Sequence, residues 1–208
     1  MKKKIITLIL AVSFVGGIIG ASLLYGRLSQ EQAPEQLTSF ADLNNAQPKE
    51  GNNTGNENKN EQGEKTERKE PKAMNFTVYD GNENQVNLSD YFGKPIVLNF
   101  WASWCGPCQS EMPDFQEKYL ELGDQVQFLM VNLTSGRETV STAKSFISQK
   151  GYTFPVFYDI DLNAADTYQV YSLPTTYFID AEGYLMAQST GAISAATLQS
   201  GIDMILKS

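Results

Sequence analysis

Residues 96–108 read Ile96-Val97-Leu98-Asn99-Phe100-Trp101-Ala102-Ser103-Trp104-Cys105-Gly106-Pro107-Cys108 and contain both cysteines of the chain. The apolar run up to Trp101 predicts a buried central strand, and apolar residues at helical spacing predict a helix from Cys105 onward. Such a strand delivers Cys105 to a helix start, where free backbone N–H groups and the helix dipole favour a thiolate. Cys108 follows one turn later, close enough to form a short disulfide with Cys105. The spacing predicts a dithiol redox site.

Two other uses of a Cys-X-X-Cys pair are a structural disulfide and half of a zinc site. Zinc normally takes four Cys or His ligands, and this chain has two cysteines and no histidine, so zinc would require a second chain. A disulfide across two intervening residues removes little chain entropy and makes a poor structural link. The redox interpretation is therefore preferred, and no metal or cofactor is expected. The lack of histidine also excludes catalysis by Ser-His-Asp or Cys-His groups.

The N-terminus predicts a signal anchor over residues 1–27. Lys2, Lys3 and Lys4 precede an apolar run from Ile5 to Tyr25, which as a helix would span roughly 30 Å, the thickness of a bilayer core. The lysines place the N-terminus in the cytoplasm. The alternative is a signal peptide cleaved near residues 20–22, but the apolar run continues beyond that point. In both cases the rest of the chain is exported, to a compartment that permits disulfides.

Residues 28–73 predict a disordered tether. The stretch from residue 52 to residue 72 contains no aliphatic or aromatic residue, so it cannot bury enough apolar surface to offset the entropy of ordering. Leu37, Phe40 and Leu43 have weak helical spacing that could form a turn or two.

Residues 74–208 are rich in apolar side chains and long enough for one domain. They carry six Lys or Arg residues against 15 Asp or Glu residues, a formal charge of −9. This acidic balance argues against nucleic acid or anionic lipid as a binding partner.

The domain alternates predicted strands and helices after an N-terminal β-hairpin. This order predicts an α/β fold with a central mixed sheet flanked by helices. The predicted strands cover residues 75–79, 86–88, 96–101, 126–133, 155–158, 175–179 and 184–189. The predicted helices cover residues 105–122, 138–150, 162–168 and 195–206, with Pro113 expected to bend the first of them.

Three stretches of the sequence resemble a known family of proteins. Residues 94–108, the triplet Glu111-Met112-Pro113 and residues 172–180, which read Ser-Leu-Pro-Thr-Thr-Tyr-Phe-Ile-Asp, resemble thioredoxin-fold proteins. Within that fold, the chain is similar to the membrane-anchored TlpA/ResA-type thiol–disulfide oxidoreductases. The match extends from Gly93 to Ile202, and the insert at residues 132–150 lies where that subfamily lengthens the thioredoxin core. One difference is Asn99, where thioredoxin has an Asp, so this position cannot supply a titrating base.

The resemblance implies roles for several residues. Glu111 matches the Glu on the active-site helix of ResA-like proteins and would take the proton from Cys108. It lies three residues after Cys108, on the same helix face, although a Glu near a helix start is also favoured by the helix dipole alone.

The resemblance also places a cis-proline, Pro174, beside the dithiol. The residue before it, Leu173, would offer its backbone edge to an extended client. We expect client contacts from Trp104, Gly106, Pro107, Leu173 and Pro174, whereas Trp101 is assigned to the core.

These features predict a membrane-tethered, extracytoplasmic enzyme that reduces disulfides of exported proteins. By resemblance, apocytochrome c is one candidate client, and a membrane electron-transfer protein would return the dithiol to its reduced state. The alternatives are an oxidase or isomerase of exported proteins, and a tethered binding module whose dithiol does not turn over.

Overall fold

The computed structural model describes residues 37–40 and 70–208. The predicted signal anchor over residues 1–27 and most of the predicted tether over residues 28–73 lie outside this part of the chain. Within the described ranges, none of the helices combines the length and the apolar character needed to cross a bilayer.

The described residues form eight strands, four α-helices and one 3-10 helix. The strands are β1 (Thr38–Ser39), β2 (Thr77–Tyr79), β3 (Gln85–Asn87), β4 (Ile96–Trp101), β5 (Gln127–Leu133), β6 (Val156–Asp159), β7 (Thr175–Ile179) and β8 (Leu185–Thr190). The α-helices are α1 (Gly106–Leu122), α2 (Val140–Lys150), α3 (Asn163–Thr167) and α4 (Ala195–Lys207), and the 3-10 helix covers Leu88–Tyr91.

All eight strands join in one mixed sheet with the order β1-β8-β7-β4-β5-β6-β2-β3. The central strands β4, β5 and β6 run parallel, which requires crossover connections, and α1 and α2 supply them. The strands β7 and β8 form an antiparallel hairpin on one side of β4, and the N-terminal hairpin β2–β3 pairs with β6 on the other side.

The sheet has an apolar core on each face. Successive residues of β4 point to opposite faces, so Val97 and Trp101 pack with α1, α2 and α4, whereas Leu98 and Phe100 pack with α3 and the N-terminal hairpin. All six residues of β4 are buried. This strand therefore belongs to both cores and fixes the position of the residues that follow it.

The predicted strand–helix alternation, the mixed sheet and the N-terminal hairpin are confirmed, with small shifts at the element ends. One shift places Glu138 outside α2, although it was predicted to begin that helix. Thr139 is the N-cap instead, and its side chain accepts a hydrogen bond from the Thr142 backbone N–H. The Glu138 side chain therefore takes no part in capping α2.

Two short pieces of the segment predicted as a tether lie against the sheet. Thr38 and Ser39 pair antiparallel with the β8 edge, and the Pro71 carbonyl accepts a hydrogen bond of 2.8 Å from the Leu185 N–H. Leu37 and Phe40, which flank this strand, pack against opposite cores. Thr38 and Ser39 thus form an edge strand, and Phe40 directly after them is helical.

Gly201 marks where α4 approaches the sheet most closely. A Cβ atom at this position would overlap the ring of Phe178, which is fully buried in β7 and has no room to move. An alanine normally favours a helix over glycine by roughly 0.5–1 kcal/mol, but here the overlap opposes that gain.

We predict that Gly201→Ala lowers the free energy of unfolding by about 1–3 kcal/mol, the usual cost of overpacking a core. Urea unfolding followed by circular dichroism measures it, with Ser200→Ala on the exposed side of the same helix as the control. An unchanged or increased stability of Gly201→Ala would show that α4 is not seated on Phe178 in this way.

Candidate active site

The two cysteines lie where β4 ends and α1 begins. Cys105 is the N-cap of α1, with extended backbone angles of φ −81° and ψ 108°. Gly106 begins the helix, and Pro107 follows in the first turn, where a proline's fixed φ and missing N–H are tolerated. The predicted strand–helix junction is confirmed.

A disulfide joins Cys105 to Cys108, and their Cα atoms are 5.3 Å apart. The Cys108 backbone N–H donates to Cys105 Sγ at 3.2 Å, so this sulfur takes the place of a capping oxygen at the helix start. Cys105 is 5% exposed and Cys108 is 0% exposed. An incoming sulfur atom would therefore meet Cys105 first.

The Leu173–Pro174 segment lies beside the dithiol, and its peptide bond is cis, as the resemblance implied. Leu173 lines the same pocket as Cys105. The Pro174 carbonyl accepts a hydrogen bond of 2.8 Å from the Gly191 N–H, and Thr175 Oγ1 donates to the Ser172 carbonyl at 2.8 Å. These hydrogen bonds hold the segment in place at the N-terminal end of β7.

Glu111 is a buried carboxylate on α1 and is only 2% exposed. Its Oε1 accepts a hydrogen bond of 2.8 Å from Asn99 Nδ2, and its Oε2 accepts one of 2.9 Å from the Ile193 N–H. The carboxylate thereby links α1 to the central strand β4 and to the segment before α4. Burial of such a group without these donors would cost several kcal/mol, roughly 2–7 for a polar group.

The Asn99 side chain is oriented toward Glu111. Its Nδ2 also donates to Thr176 Oγ1 at 3.0 Å, while its buried Oδ1 has no hydrogen-bond partner among the described residues. In this orientation the amide oxygen has no donor to bind, whereas the amide NH2 group donates to both Glu111 and Thr176. The arrangement is suited to a charged carboxylate at Glu111, because bonds to an ionised acceptor are the stronger ones.

A second buried carboxylate, Glu138, joins two loops at the same end of the sheet. Its Oε2 accepts a hydrogen bond of 2.8 Å from Ser103 Oγ, and its Oε1 accepts one of 3.1 Å from Asn132 Nδ2. Ser103 lies two residues before Cys105. Glu138 therefore fastens the loop that follows β5 to the loop that carries the first cysteine.

Asp159 anchors the short helix α3, which forms another wall of the site. Its two oxygens accept hydrogen bonds from the Ala164 N–H at 3.1 Å and the Ala165 N–H at 2.8 Å. Burial raises the pKa of the Asp159 carboxyl, while these N–H groups act in the opposite direction. The bonds hold α3 next to the end of β6.

A pocket of about 730 Å³ opens beside the disulfide, where the parallel strands end. Two exposed aromatic side chains lie on it, Trp104 at 46% and Tyr171 at 90% exposure. Its lining also includes Cys105, Gly106, Pro107, Leu133, Arg137, Asp166 and Leu173. Its volume falls in the range of ligand-binding clefts, about 300–1,000 Å³, and its open aromatic rim is suited to a peptide segment.

Most of the residues singled out from the sequence meet at this site. Trp104, Cys105, Gly106, Pro107 and Leu173 line the pocket. Behind it lie Cys108, Glu111 and Pro174, all of them buried, and Trp101 is a core residue as predicted. Within residues 37–40 and 70–208, no group of three His, Cys, Asp or Glu side chains is arranged to hold a metal ion.

Sequence reasoning missed four polar or aromatic residues of the site, which are Arg137, Glu138, Asp166 and Tyr171. Only their position in the chain could have indicated them, because loops that follow neighbouring parallel strands meet at one edge of a sheet. No motif marks them, and their assembly depends on how the loops fold back.

A disulfide at a helix N-terminus, beside a cis-proline and in a mixed sheet covered by helices, defines a thiol–disulfide oxidoreductase with a thioredoxin-like fold. The chain belongs to the AhpC/TSA family, whose family model matches residues 70–188.

Individual relatives refine this assignment. The thiol-disulfide oxidoreductase ResA of Bacillus subtilis is 34% identical over 134 residues, which cover 64% of this chain and 73% of ResA. A structure from Chlorobium tepidum, assigned as a thiol:disulfide interchange protein DsbE, aligns with a TM-score of 0.59 and 30% identity over 66% of this chain and 96% of that one. The exposed lipoprotein thioredoxin of Streptococcus pneumoniae aligns with a TM-score of 0.53 and 34% identity over 62% of this chain and 99% of that one. The protein is therefore an enzyme of the ResA/DsbE type, as the resemblance implied.

The Glu111 contacts predict the effect of Glu111→Gln. A glutamine can accept only one of the two hydrogen bonds, because its NH2 group must then face a donor. We expect the fold to persist with a free energy of unfolding lower by about 1–3 kcal/mol. Thermal unfolding of the oxidised protein measures this loss.

The same variant should lower the apparent pKa of the thiols in the reduced protein, because a nearby negative charge disfavours a thiolate and the variant removes it. Iodoacetamide alkylation rates between pH 5 and pH 10 report that pKa. Glu117→Gln, on the exposed side of the same helix, is the matched control. Identical alkylation profiles for all three proteins would make Glu111 a purely structural residue.

Proposed function

We propose that this protein is an extracytoplasmic, membrane-tethered oxidoreductase that reduces disulfides of exported proteins through Cys105 and Cys108. The observation that carries the proposal is the placement of the dithiol. Cys105 lies at a helix N-terminus, at the edge of a pocket that is open to a peptide, with Leu173 and the cis-proline beside it.

The reduced enzyme acts in two exchange steps. The Cys105 thiolate attacks one sulfur of a client disulfide, forms a mixed disulfide with it and releases the other client sulfur as a thiolate. The Cys108 thiol then loses its proton and attacks Cys105 Sγ, which releases the second client thiol and leaves the disulfide seen in the structure. Two electrons pass from the dithiol to the client.

Glu111 acts as the base for the second step. It is buried on the helix that carries Cys108, one turn away, and its carboxylate has a fixed orientation set by Asn99 and Ile193. A proton taken from Cys108 at that moment makes the attacking thiolate where the solvent does not reach. In this role Glu111→Gln slows the release of the mixed disulfide.

The client lies across the pocket in an extended conformation. Trp104, Gly106 and Pro107 contact it on the helix side, and Leu173 and Pro174 contact it on the other side. The backbone edge of Leu173 pairs with the client as an added strand would.

The proposed location rests on residues 1–27, which we assign as an uncleaved signal anchor with its N-terminus in the cytoplasm. The composition of that segment and its three lysines support it. The Streptococcus pneumoniae relative, which is described as an exposed lipoprotein, supports an extracytoplasmic domain. A membrane electron-transfer protein would reduce the Cys105–Cys108 disulfide after each turnover, and apocytochrome c is a candidate client.

Reduction is favoured over oxidation by the residues between the cysteines. Neither Gly106 nor Pro107 offers a charge or a side-chain donor to a thiolate at Cys105, so the helix terminus is its main source of stabilisation. A dithiol with a less stabilised thiolate has a disulfide that is harder to reduce.

The order of attack predicts which variant captures clients. Cys108→Ser in the full chain should accumulate mixed disulfides through Cys105, because the second step is blocked. The complexes should contain exported proteins and be recovered with the membrane fraction, as non-reducing gels and mass spectrometry would show. Cys105→Ser should capture few clients, and the double variant none. Stronger capture by Cys105→Ser would reverse the assignment of the two cysteines.

The direction of electron flow predicts the reduction potential. We expect a value nearer that of thioredoxin, about −270 mV, than that of DsbA, about −120 mV. Equilibration of the protein with glutathione or dithiothreitol buffers measures it. Pro107→His should raise the potential by tens of millivolts, because a histidine between the cysteines stabilises the Cys105 thiolate. A wild-type potential close to that of DsbA would identify an oxidase.

A further inference from the structure

Arg137 lies on the pocket beside the dithiol, in the loop between β5 and α2. Its guanidinium carbon is 4.0 Å from the centre of the Trp104 ring, a stacking distance for these groups. Trp104 directly precedes Cys105. The stacking therefore holds a positive charge on the pocket that Cys105 also lines.

The N–H donors of this guanidinium are not engaged within the described part of the chain. No described residue accepts a hydrogen bond from Arg137 or pairs with its charge, and the carboxylate next to it in sequence, Glu138, binds Ser103 and Asn132 instead. A stacked guanidinium keeps its planar edge of N–H groups available, and that edge matches the two oxygens of a carboxylate.

The charges on the pocket are few. Arg137 is its only cation and Asp166 its only anion among the described residues that line it, in a domain with a formal charge of −9. At physiological ionic strength, charges more than about 8 Å apart are largely screened. A bound client therefore responds mainly to Arg137 and Asp166, because the charges on the rest of the domain are largely screened.

We propose that Arg137 is a specificity-determining residue that binds a carboxylate of the client. The preferred client carries an Asp or Glu within a few residues of the cysteine that Cys105 attacks. This inference rests on the proposed function, because it needs a client to be bound at the dithiol. It names the chemistry that the pocket recognises next to the reacting sulfur.

The test uses the reduced full-length protein and three synthetic peptides in single-turnover reactions. Each peptide has one cysteine, blocked as a mixed disulfide with 2-mercaptoethanol, and a neighbouring Glu, Gln or Lys. In each reaction the dithiol becomes the Cys105–Cys108 disulfide, and the peptide thiol and 2-mercaptoethanol are released. Rates are divided by those with dithiothreitol, a neutral reductant, to remove the intrinsic reactivity of each peptide.

We expect the Glu peptide to react about five-fold faster than the Gln peptide at low salt, the upper range for an exposed ion pair. The Lys peptide should be the slowest, and 0.5 M salt should bring the three rates together. In Arg137→Gln the Glu preference should disappear, and the Lys peptide should become the fastest because Asp166 is then the remaining charge. Lys207→Gln, at the exposed end of α4, removes the same charge away from the pocket and should keep the wild-type order.

Bis(2-hydroxyethyl) disulfide, a neutral small substrate, separates this proposal from the proposed function. Its rate with each protein measures the reactivity of that protein's dithiol, and the peptide rates of wild type and Arg137→Gln are divided by it before they are compared. Failure of the wild type to reduce it would overturn the proposed function itself. An equal loss on every substrate in Arg137→Gln, or an unchanged ratio of Glu to Gln rates, would overturn the recognition of a carboxylate and leave Arg137 as a support for Trp104.

Discussion

The carboxylate of Glu111 joins three parts of the molecule that must stay in register for the dithiol to work. It accepts one hydrogen bond from Asn99 on the central strand and one from the backbone before α4. Asn99 in turn binds Thr176 on β7, two residues after Pro174. The helix with the cysteines and the strand that follows the cis-proline are therefore connected through a single buried amide.

This connection explains why a polar group persists in the core of the sheet. A buried carboxylate without donors would be strongly unfavourable, yet an apolar residue in its place would leave the Ile193 N–H without its acceptor and the Asn99 amide with Thr176 Oγ1 alone. The loss of one member of the network therefore weakens the others. It also puts a buried carboxylate on the helix of Cys108, one turn after that buried cysteine.

Sequence reasoning recovered the sheet and the dithiol because both depend on local patterns. Continuous apolar runs identify β4 and β5, and the Cys-X-X-Cys spacing after β4 places the sulfurs at a helix start whatever the rest of the chain does. The cis-proline came from resemblance, since a single X-Pro sequence carries only a 5–6% expectation of cis geometry. Glu111 was found in the same way, but its partner Ile193 N–H, and Thr176, which binds Asn99, lie far along the chain.

The parts that escaped prediction depend on contacts between loops. Glu138 was predicted as the first residue of a helix. In the structure Thr139 caps that helix, and Glu138 binds Ser103 and Asn132 instead. The β1 segment was predicted as tether because a strand of two residues is too short to show an alternating pattern. It pairs with the edge of β8, which the local sequence does not reveal.

The residues of the dithiol site and the proposed client-binding residue thus rest on different parts of the fold. The dithiol, Glu111 and the cis-proline rest on β4, α1 and β7, whose positions follow from burial on both faces of the sheet. Arg137 rests on a loop that Glu138 fastens to the active-site segment, and its guanidinium is held by stacking on Trp104 rather than by a hydrogen bond to a described residue. In the proposed function, a substitution at Arg137 alters the charge that a client meets on the pocket. If Arg137 binds clients as proposed, client preference depends on the loop that follows β5, whereas the exchange reaction depends on β4, α1 and β7.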